Sequence, residues 1–239
     1  MENKRWILIT GAARRIGAIL AVGLAKRGFN IVVHHGHSPK EAEQTAALVH
    51  AAGSQALIIQ ADLSDSSALC DSIFKQLLSI PLFALINNAS IFESEQFHQV
   101  TLSSWDEHLR INLTAPLLLS QEFSSQFQGD DGRIINMLDW RALRPGQDHF
   151  SYTISKAALA ALTKSLARAL APRISVNAIA MGAILPPSDG KGDENLIKSV
   201  PAQRWANVEE VTETVNFLLT GPSFITGEII HLDGGRHLV

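Results

Sequence analysis

The chain has 239 residues, of which 46% are hydrophobic, so it can bury the core of one large domain or two small ones. The formal net charge of −3 comes without a basic stripe, which gives no indication of nucleic-acid binding. One cysteine, Cys70, excludes an intramolecular disulfide framework and is typical of a reducing compartment.

Short apolar runs alternate with helical patterns along the whole chain. In chain order we predict strand 6–9, helix 16–27, strand 31–33, helix 39–52, strand 56–59, helix 66–78, strand 82–86, helix 103–127, strand 133–137, helix 150–170, strand 174–179, helix 208–219 and strand 228–232. Continuous apolar strands separated by helices predict a parallel sheet covered on both faces. We therefore expect one Rossmann-like, doubly wound α/β domain over residues 1–239, with ligands beyond the carboxyl ends of the strands.

The N-terminal apolar stretch follows two basic residues, as in a secretory signal. Glycines and arginines between positions 11 and 17 interrupt it, so we do not expect a signal peptide. No run approaches the roughly 18 apolar residues that a membrane helix needs. These observations predict a cytoplasmic protein that is not bound to a membrane.

The first strand runs into a glycine-containing turn, TGAARRIG at 10–17. Glycines allow a phosphate to approach the backbone closely, and the following helix offers free N–H groups at its N-terminus. The spacing differs from the G-x-G-x-x-G fingerprint. The position after the first strand nevertheless favours a nucleotide site.

The second strand ends in HHGHS at 34–38, without the acidic residue that usually binds the ribose of NAD. Arg14, His37 and Ser38 can instead bind a 2′-phosphate, so we predict NADPH as the cofactor. Three close histidines also suggest a metal site. Side chains alternate along a strand, however, and no cysteine or paired carboxylate is near, so we predict no metal.

Tyr152 is the one tyrosine of the chain and stands four residues before Lys156. Residues i and i+4 share a helix face, so the ammonium should favour the phenolate and lower the pKa of Tyr152. This pair is a candidate proton donor for a reduction.

These motifs together resemble the short-chain dehydrogenase/reductase family over nearly the whole chain. The cofactor turn, Ala61-Asp62-Leu63 and Asn87-Asn88-Ala89 match family elements for the cofactor, and Met181-Gly182 stands where Pro-Gly is usual. Asn112 matches the family's catalytic asparagine, which holds a water connected to the lysine. Tyr152 and Lys156 match its catalytic pair. The resemblance also implies a homotetramer.

One position departs from the family pattern. The family normally has a serine thirteen residues before the tyrosine, and here that residue is Asp139. An ionised carboxylate only accepts hydrogen bonds, so it opposes the alkoxide of a ketone reduction. It can stabilise or protonate an imine nitrogen. Asp139 therefore points to C=N reduction.

Asp139 and the second basic residue of the turn, Arg15, resemble the pteridine reductase branch, which includes bacterial dihydromonapterin and dihydrofolate reductases. NASIF at 88–92 matches that branch's N-A-S-x-F, whose phenylalanine stacks on the pterin. We therefore predict an NADPH-dependent dihydropteridine reductase. Its catalytic residues are Asp139, Tyr152, Lys156 and Asn112. Its substrate residues are Arg15, Ser90, Phe92, Asp139 and Tyr152. Its cofactor residues are Gly11, Arg14, Arg15, Ile16, Gly17, His35, Gly36, His37, Ser38, Ala61, Asp62, Leu63, Asn88, Ala89, Ser90, Tyr152, Lys156, Met181, Gly182 and Ala183.

Two other functions stay open at this stage. An ordinary carbonyl reductase, such as a 3-oxoacyl-thioester reductase, conflicts with Asp139 and Phe92. A non-catalytic NADP-binding regulator conflicts with the complete set of Asn112, Tyr152 and Lys156. The weakly patterned stretch 184–200 is either a substrate lid or a surface loop.

Overall fold

A computed structural model describes residues 4–185 and 197–239, where seven strands form one parallel sheet. The strands are β1 (Trp6–Ile9), β2 (Asn30–His35), β3 (Ala56–Gln60), β4 (Leu82–Asn87), β5 (Gly132–Asp139), β6 (Ile174–Met181) and β7 (Ile229–Leu232). The helices are α1 (Arg15–Lys26), α2 (Pro39–Ala51), α3 (Leu69–Phe74), α4 (Leu102–Leu109), α5 (Ala115–Gln126), α6 (Phe150–Leu170) and α7 (Val208–Thr220). The strand order β3-β2-β1-β4-β5-β6-β7 confirms the doubly wound α/β fold.

Two apolar cores lie on opposite faces of the sheet. Because strand side chains alternate, Ile7 and Ile9 join the core under α1, α2 and α7, while Leu8 joins the core under α3, α5 and α6. All six residues of β2 are buried, as expected for a strand covered on both faces. No helix within the described residues is both long and apolar enough to cross a membrane.

The strand order reverses at β1, which pairs with β2 on one side and β4 on the other. At this switch point the chains diverge above the sheet, and a crevice opens beyond the carboxyl ends of the strands. The cofactor turn follows β1 and the NASIF segment follows β4, so the topology places the two motifs at the same crevice.

Two helices differ from the sequence-based expectation. The helix expected over 66–78 is shorter, because the Asp65 carboxylate accepts hydrogen bonds from the backbone of Ser67 and Ala68 and holds a turn there. The helix expected over 103–127 is continuous in space, but residues Arg110–Thr114 form a π-helical segment between α4 and α5. That segment contains Asn112.

The proposed lid at 184–200 falls mostly outside the described residues, which omit 186–196. At its two described ends, Ile184 and Val200 are buried.

Candidate active site

The turn after β1 is tied to the end of β4 through the side chain of Thr10. Its hydroxyl oxygen accepts hydrogen bonds from the backbone N–H groups of Asn88 (2.9 Å) and Ala89 (3.0 Å). The Asn88 amide donates to the carbonyl oxygens of Thr10 (2.8 Å) and Gly11 (3.3 Å). These contacts fix the turn against the sheet, so the N-terminus of α1 has a defined direction.

His34 fixes the same turn from the side of β2. Its Nδ1 accepts from the Gly11 N–H at 3.1 Å, so in the neutral ring the proton lies on Nε2, which donates to the Ala61 carbonyl at 3.1 Å. The ring is 1% exposed. Burial lowers the pKa of His34 from 6.5 to about 4, and the neighbouring His35 contributes in the same direction. A neutral His34 therefore joins the cofactor turn to the loop after β3.

The two glycines of the turn are required by close packing. Gly11 has φ +64°, and a Cβ there would also lie 3.0 Å from the Cα of Ala89. A Cβ on Gly17 would lie 2.1 Å from the Gly11 carbonyl oxygen and 2.8 Å from the Asn88 amide nitrogen. The first turn of α1 therefore packs directly onto the backbone of the preceding turn.

We expect Gly17→Ala to lower the free energy of unfolding by about 1–3 kcal/mol, because the added methyl group cannot fit without a backbone shift. Cofactor affinity should fall as well, since the N–H groups of α1 would be displaced. Urea unfolding and a fluorescence titration with NADPH measure the two effects. Gly36→Ala is the control for stability, because its Cβ would meet only the Ala61 carbonyl oxygen at 3.9 Å. Equal stability of the two variants would contradict this account of Gly17.

A cavity of about 430 Å³ brings together most of the predicted cofactor residues. Its lining includes Gly11, Arg14, Arg15, Ile16, Gly17, His35, Gly36, His37, Ser38, Asn88, Ala89, Ser90 and Met181. Seven predicted residues do not line it: Ala61, Asp62, Leu63, Tyr152, Lys156, Gly182 and Ala183. Asp62 and Leu63 follow β3, and the Asp62 carboxylate accepts from Ser64. Gly182 donates from its backbone to Leu232, and Ala183 lines a second cavity. Within the predicted adenine element Ala61-Asp62-Leu63, Ala61 is hydrogen-bonded to the strand beside the cavity, through the His34 ring and through the backbone carbonyl of His35.

The cavity has unused polar groups that fit a dinucleotide. The N-cap of α1 is Arg14, a side chain without an acceptor, and no acidic residue lies in the first turn. The N-terminus of α1 therefore has no side-chain cap, which suits the binding of a phosphate there. On the other side, the Nδ1 atom of buried His35 has no hydrogen-bond partner within the described residues. Arg14 and His37 are exposed at the rim, where a further phosphate can reach them.

Asp139 and Tyr152 lie close enough beside this cavity to affect each other's ionisation. Asp139 ends β5 and Tyr152 lies in the first turn of α6. Burial, and then the charge of Asp139, raise the pKa of Tyr152 well above 10. The expectation that Lys156 lowers this pKa is therefore wrong for this structure. Tyr152 is a neutral hydrogen-bond donor here.

Asp139 has the character of an acid. Burial raises the pKa of its carboxyl group, against the opposing effects of the Arg141 backbone N–H, the Arg141 charge and the Lys156 charge. One oxygen also accepts from the Arg141 N–H at 2.8 Å, which caps the short helix Trp140–Ala142. A buried carboxyl group with a raised pKa holds its proton more tightly than an exposed one and can act as a general acid.

Lys156 is buried at the base of the same group. Its ammonium donates to the Met137 carbonyl at 2.8 Å and lies 5.8 Å from the centre of the Tyr152 ring. Burial lowers the pKa of Lys156 to about 8, while Asp139 opposes the shift. The charge of Lys156 therefore acts on the pKa of Asp139 and is not among the main influences on the pKa of Tyr152.

The side-chain amide of Asn112 is fully hydrogen-bonded within the protein. Its oxygen accepts from the Ile91 N–H (3.0 Å) and the Ser90 hydroxyl (3.1 Å), and its nitrogen donates to Ile91 O (3.1 Å) and Ser155 Oγ (3.0 Å). All four hydrogen-bonding positions of the amide are therefore used by the protein. The side chain thus holds the loop after β4 against α6, and a role of Asn112 in holding a relay water stays a prediction.

Three aromatic rings meet at the entrance to the site. Phe92 is 51% exposed and stacks on His149, with ring centres 3.8 Å apart and planes at 13°. Its edge contacts Tyr152 with centres 4.6 Å apart. The Nδ1 atom of His149 is 2.9 Å from the Glu93 carbonyl, which holds the ring in place. One face of Phe92 is therefore covered by His149, which leaves the opposite face for a flat ligand.

Sequence reasoning missed Arg141 and His149. The Arg141 guanidinium lies 2.6 Å from Asp148 and 3.7 Å from Asp139. Its place two residues after Asp139, at the end of a strand, is the signal that could have identified it. No pattern indicated that His149, directly before α6, would stack on Phe92. Within the described residues, no group of three or more His, Cys, Asp or Glu side chains is arranged to hold a metal ion.

Comparison with known proteins places this geometry in a family. The chain matches the family model described as short chain dehydrogenase over residues 5–196. Curated relatives include 3-oxoacyl-[acyl-carrier-protein] reductases from Synechocystis, 31% identical over 95% of each chain, and from Staphylococcus aureus, 31% identical over the full length of both. Among solved structures, FolM alternative dihydrofolate reductase 1 from Brucella canis, complexed with NADP, is 36% identical with a TM-score of 0.90, over 98% of this chain and 95% of that chain. The protein is therefore an oxidoreductase that belongs to the short-chain dehydrogenase family.

Proposed function

We propose that this protein is an NADPH-dependent reductase of the C=N bond of a dihydropteridine. The observation that carries the proposal is Asp139, a largely buried carboxyl group with a raised pKa that lies beside Tyr152 and accepts a hydrogen bond from the Arg141 N–H. A protonated carboxyl group suits a ring nitrogen that must gain a proton. A ketone reductase gains little from an acidic residue that becomes negative beside a developing alkoxide.

The residues of the 430 Å³ cavity are suited to hold NADPH. The N-terminus of α1 would bind the pyrophosphate, and the exposed Arg14 and His37 would bind the 2′-phosphate. No carboxylate occurs in residues 34–38 to repel that phosphate. When bound, the nicotinamide supplies the hydride for the ring carbon.

The protein supplies the proton and its path. Asp139 would protonate the ring nitrogen as the hydride reaches the adjacent carbon, so the C=N bond becomes HC–NH. Tyr152 lies beside Asp139, and Lys156 stabilises the carboxylate that remains after transfer. The second oxygen stays bonded to the Arg141 N–H throughout.

Phe92 would place the substrate ring. Since His149 covers one face of Phe92, a pteridine can stack only on the other face. Arg15 lines the cofactor cavity, and its proposed role is to reach the substrate ring from there. The likeness to the FolM structures from Brucella canis and Brucella suis, both 36% identical, supports the same substrate class.

The competing function is reduction of a 3-oxoacyl thioester, which the names of the curated relatives favour. A side-by-side assay of NADPH oxidation decides between the two, with dihydromonapterin, dihydrobiopterin, dihydrofolate and a 3-oxoacyl thioester as substrates. We expect kcat/KM to be at least about a hundredfold higher for the best dihydropterin than for the thioester. The opposite order would replace the proposal with carbonyl reduction, and the absence of any hydride transfer would favour a regulator. The same assay with NADH tests the cofactor preference.

Cytoplasmic location and a homotetramer stay predictions. Ala160 on α6 is buried, whereas Ala161 is exposed and offers a small side chain to a neighbouring helix.

A further inference from the structure

A row of alternating aromatic rings and guanidinium groups runs from Phe92 to Arg236. The Arg141 guanidinium lies 5.9 Å from the centre of the Phe92 ring and 4.9 Å from that of Trp140. The Arg236 guanidinium lies 4.2 Å from the centre of the same Trp140 ring. The 3₁₀ helix Arg236–Leu238 at the C-terminus thus brings a second cation to the rim of the active site.

The two arginines differ in how their charges are balanced. Arg141 forms ion pairs with Asp148 and Asp139. Arg236 forms no ion pair with a carboxylate of the described residues. Its guanidinium lies over the Trp140 ring, which offers no hydrogen-bond acceptor atom. The nearby Asp233 is engaged with His237 and with the backbone of Gly235. The acceptor that would match the Arg236 guanidinium is therefore absent from the described part of the chain.

The surroundings of Arg236 make its charge costly. The side chain is partly buried, and burial together with the charge of Arg141 lowers its pKa. Arg144 adds a third cation, since it donates to the Arg236 carbonyl oxygen at 3.3 Å. A partly desolvated guanidinium with unused N–H donors gains more from an anion than a fully hydrated one does.

We infer that Arg236, held over Trp140 and supported by Arg144, is a subsite for an anionic group on the substrate's side chain. The inference rests on the proposed function and narrows it to dihydropteridines whose side chain carries a carboxylate or a phosphate. The pteridine ring would stack on Phe92, and its side chain would pass Arg141 and Trp140 toward Arg236. Carboxylate and phosphate both accept the paired N–H groups of a guanidinium.

The test compares three dihydropterins with NADPH and the full-length chain. Dihydrofolate carries carboxylates, a side-chain phosphate ester of a dihydropterin carries a phosphate, and dihydrobiopterin carries no charge on its side chain. The variant is Arg236→Gln. The matched control is Arg168→Gln, which removes the same charge from an exposed position near the end of α6. NADPH affinity checks that both variants are folded.

We expect Arg236→Gln to raise KM about tenfold for an anionic substrate, equivalent to about 1.4 kcal/mol, with kcat nearly unchanged. In the same variant, KM for dihydrobiopterin should stay within about twofold of the wild-type value. Arg168→Gln should change KM for neither class of substrate. An effect on dihydrofolate alone identifies a carboxylate as the natural group, and an effect on the phosphate ester alone identifies a phosphate.

A second measurement needs no variant. In the wild-type protein, rising salt should increase KM for the anionic substrates more than for dihydrobiopterin. The subsite would be overturned if salt changed KM equally for all three substrates, or if Arg236→Gln left KM for the anionic substrates unchanged. Neither result would contradict dihydropterin reduction itself. A wild-type protein that reduces none of the three would instead refute the proposed function and the subsite with it.

Discussion

Replacing Asp139 by asparagine is expected to lower kcat for dihydropterin reduction at least about a hundredfold, which is the usual contribution of a positioned acid. The amide keeps an oxygen that can accept from the Arg141 N–H, so the cap of the helix Trp140–Ala142 is preserved. It has no acidic proton to give to a ring nitrogen. NADPH affinity should therefore change little while turnover is lost, and stopped-flow measurement of hydride transfer separates the two.

The pH profile gives an independent readout of the same acid. Because Asp139 must be protonated to act, kcat should fall as the pH rises through its raised pKa. This limb should disappear in the asparagine variant. Asp71→Asn, at a 70% exposed side chain paired with Lys75, is the control that removes a carboxylate elsewhere. Asp139→Ser should also weaken dihydropterin reduction more than cofactor binding. Unchanged turnover in both Asp139 variants would disprove the role of this residue.

The second large effect concerns stability at acid pH and arises from His34. The folded protein holds this ring neutral, with a pKa of about 4, whereas the unfolded chain titrates near 6.5. Between these values the unfolded state binds more protons, so stability is full above about pH 6.5 and is lost as the pH falls toward 4. The two pKa values predict a loss of about 2 kcal/mol between about pH 7.5 and about pH 5.

Urea unfolding at those two pH values measures the loss. In His34→Asn the side-chain oxygen can still accept from the Gly11 N–H, but no group titrates, so the dependence on pH should be smaller by about 2 kcal/mol. The variant should be less stable at neutral pH because the bond to Ala61 is lost. His98→Asn, at an exposed histidine, should behave like the wild type. If the free energy of unfolding changes equally with pH in all three proteins, His34 does not control the acid sensitivity.

Much of the fold was predictable because strands and helices were marked by strong apolar patterns. Helix α6 begins at Phe150 and ends at Leu170 as expected, and every expected strand occurs in the sheet. The short α3 was not predictable in the same way. Its apolar pattern continues upstream, but the Asp65 carboxylate bonds to the backbone and stabilises a turn, a competition that periodicity does not register.

The clustering of Tyr152 and Lys156 was predictable from spacing, whereas their electrostatics were not. Spacing places Tyr152 and Lys156 on one face of α6, and both lie there. Spacing carries no information on desolvation, which raises the pKa of Tyr152 and lowers that of Lys156. It also does not show that the ammonium is bound to the Met137 carbonyl. The proton donor that we propose is therefore Asp139, whereas the spacing alone favoured Tyr152.

The contacts of Phe92 show a further limit of sequence reasoning. Its stacking partner His149 lies 57 positions further along the chain and has φ +50°, an uncommon backbone conformation for this residue type. Neither the separation nor the conformation is marked by a pattern in the sequence. The partner of an exposed aromatic residue becomes visible only when β4 and α6 are brought together.

The cap that Asp139 provides for the helix Trp140–Ala142 has an evolutionary consequence. Aspartate and serine are about equally good at accepting a hydrogen bond from the start of a helix. A lineage can therefore exchange one for the other at this position while the backbone and its stability are nearly preserved. The group offered to the substrate changes at the same time, from a carboxyl group to a hydroxyl group. Exchange at this one residue can thus change the group offered to a substrate while the helix cap that supports the fold is kept.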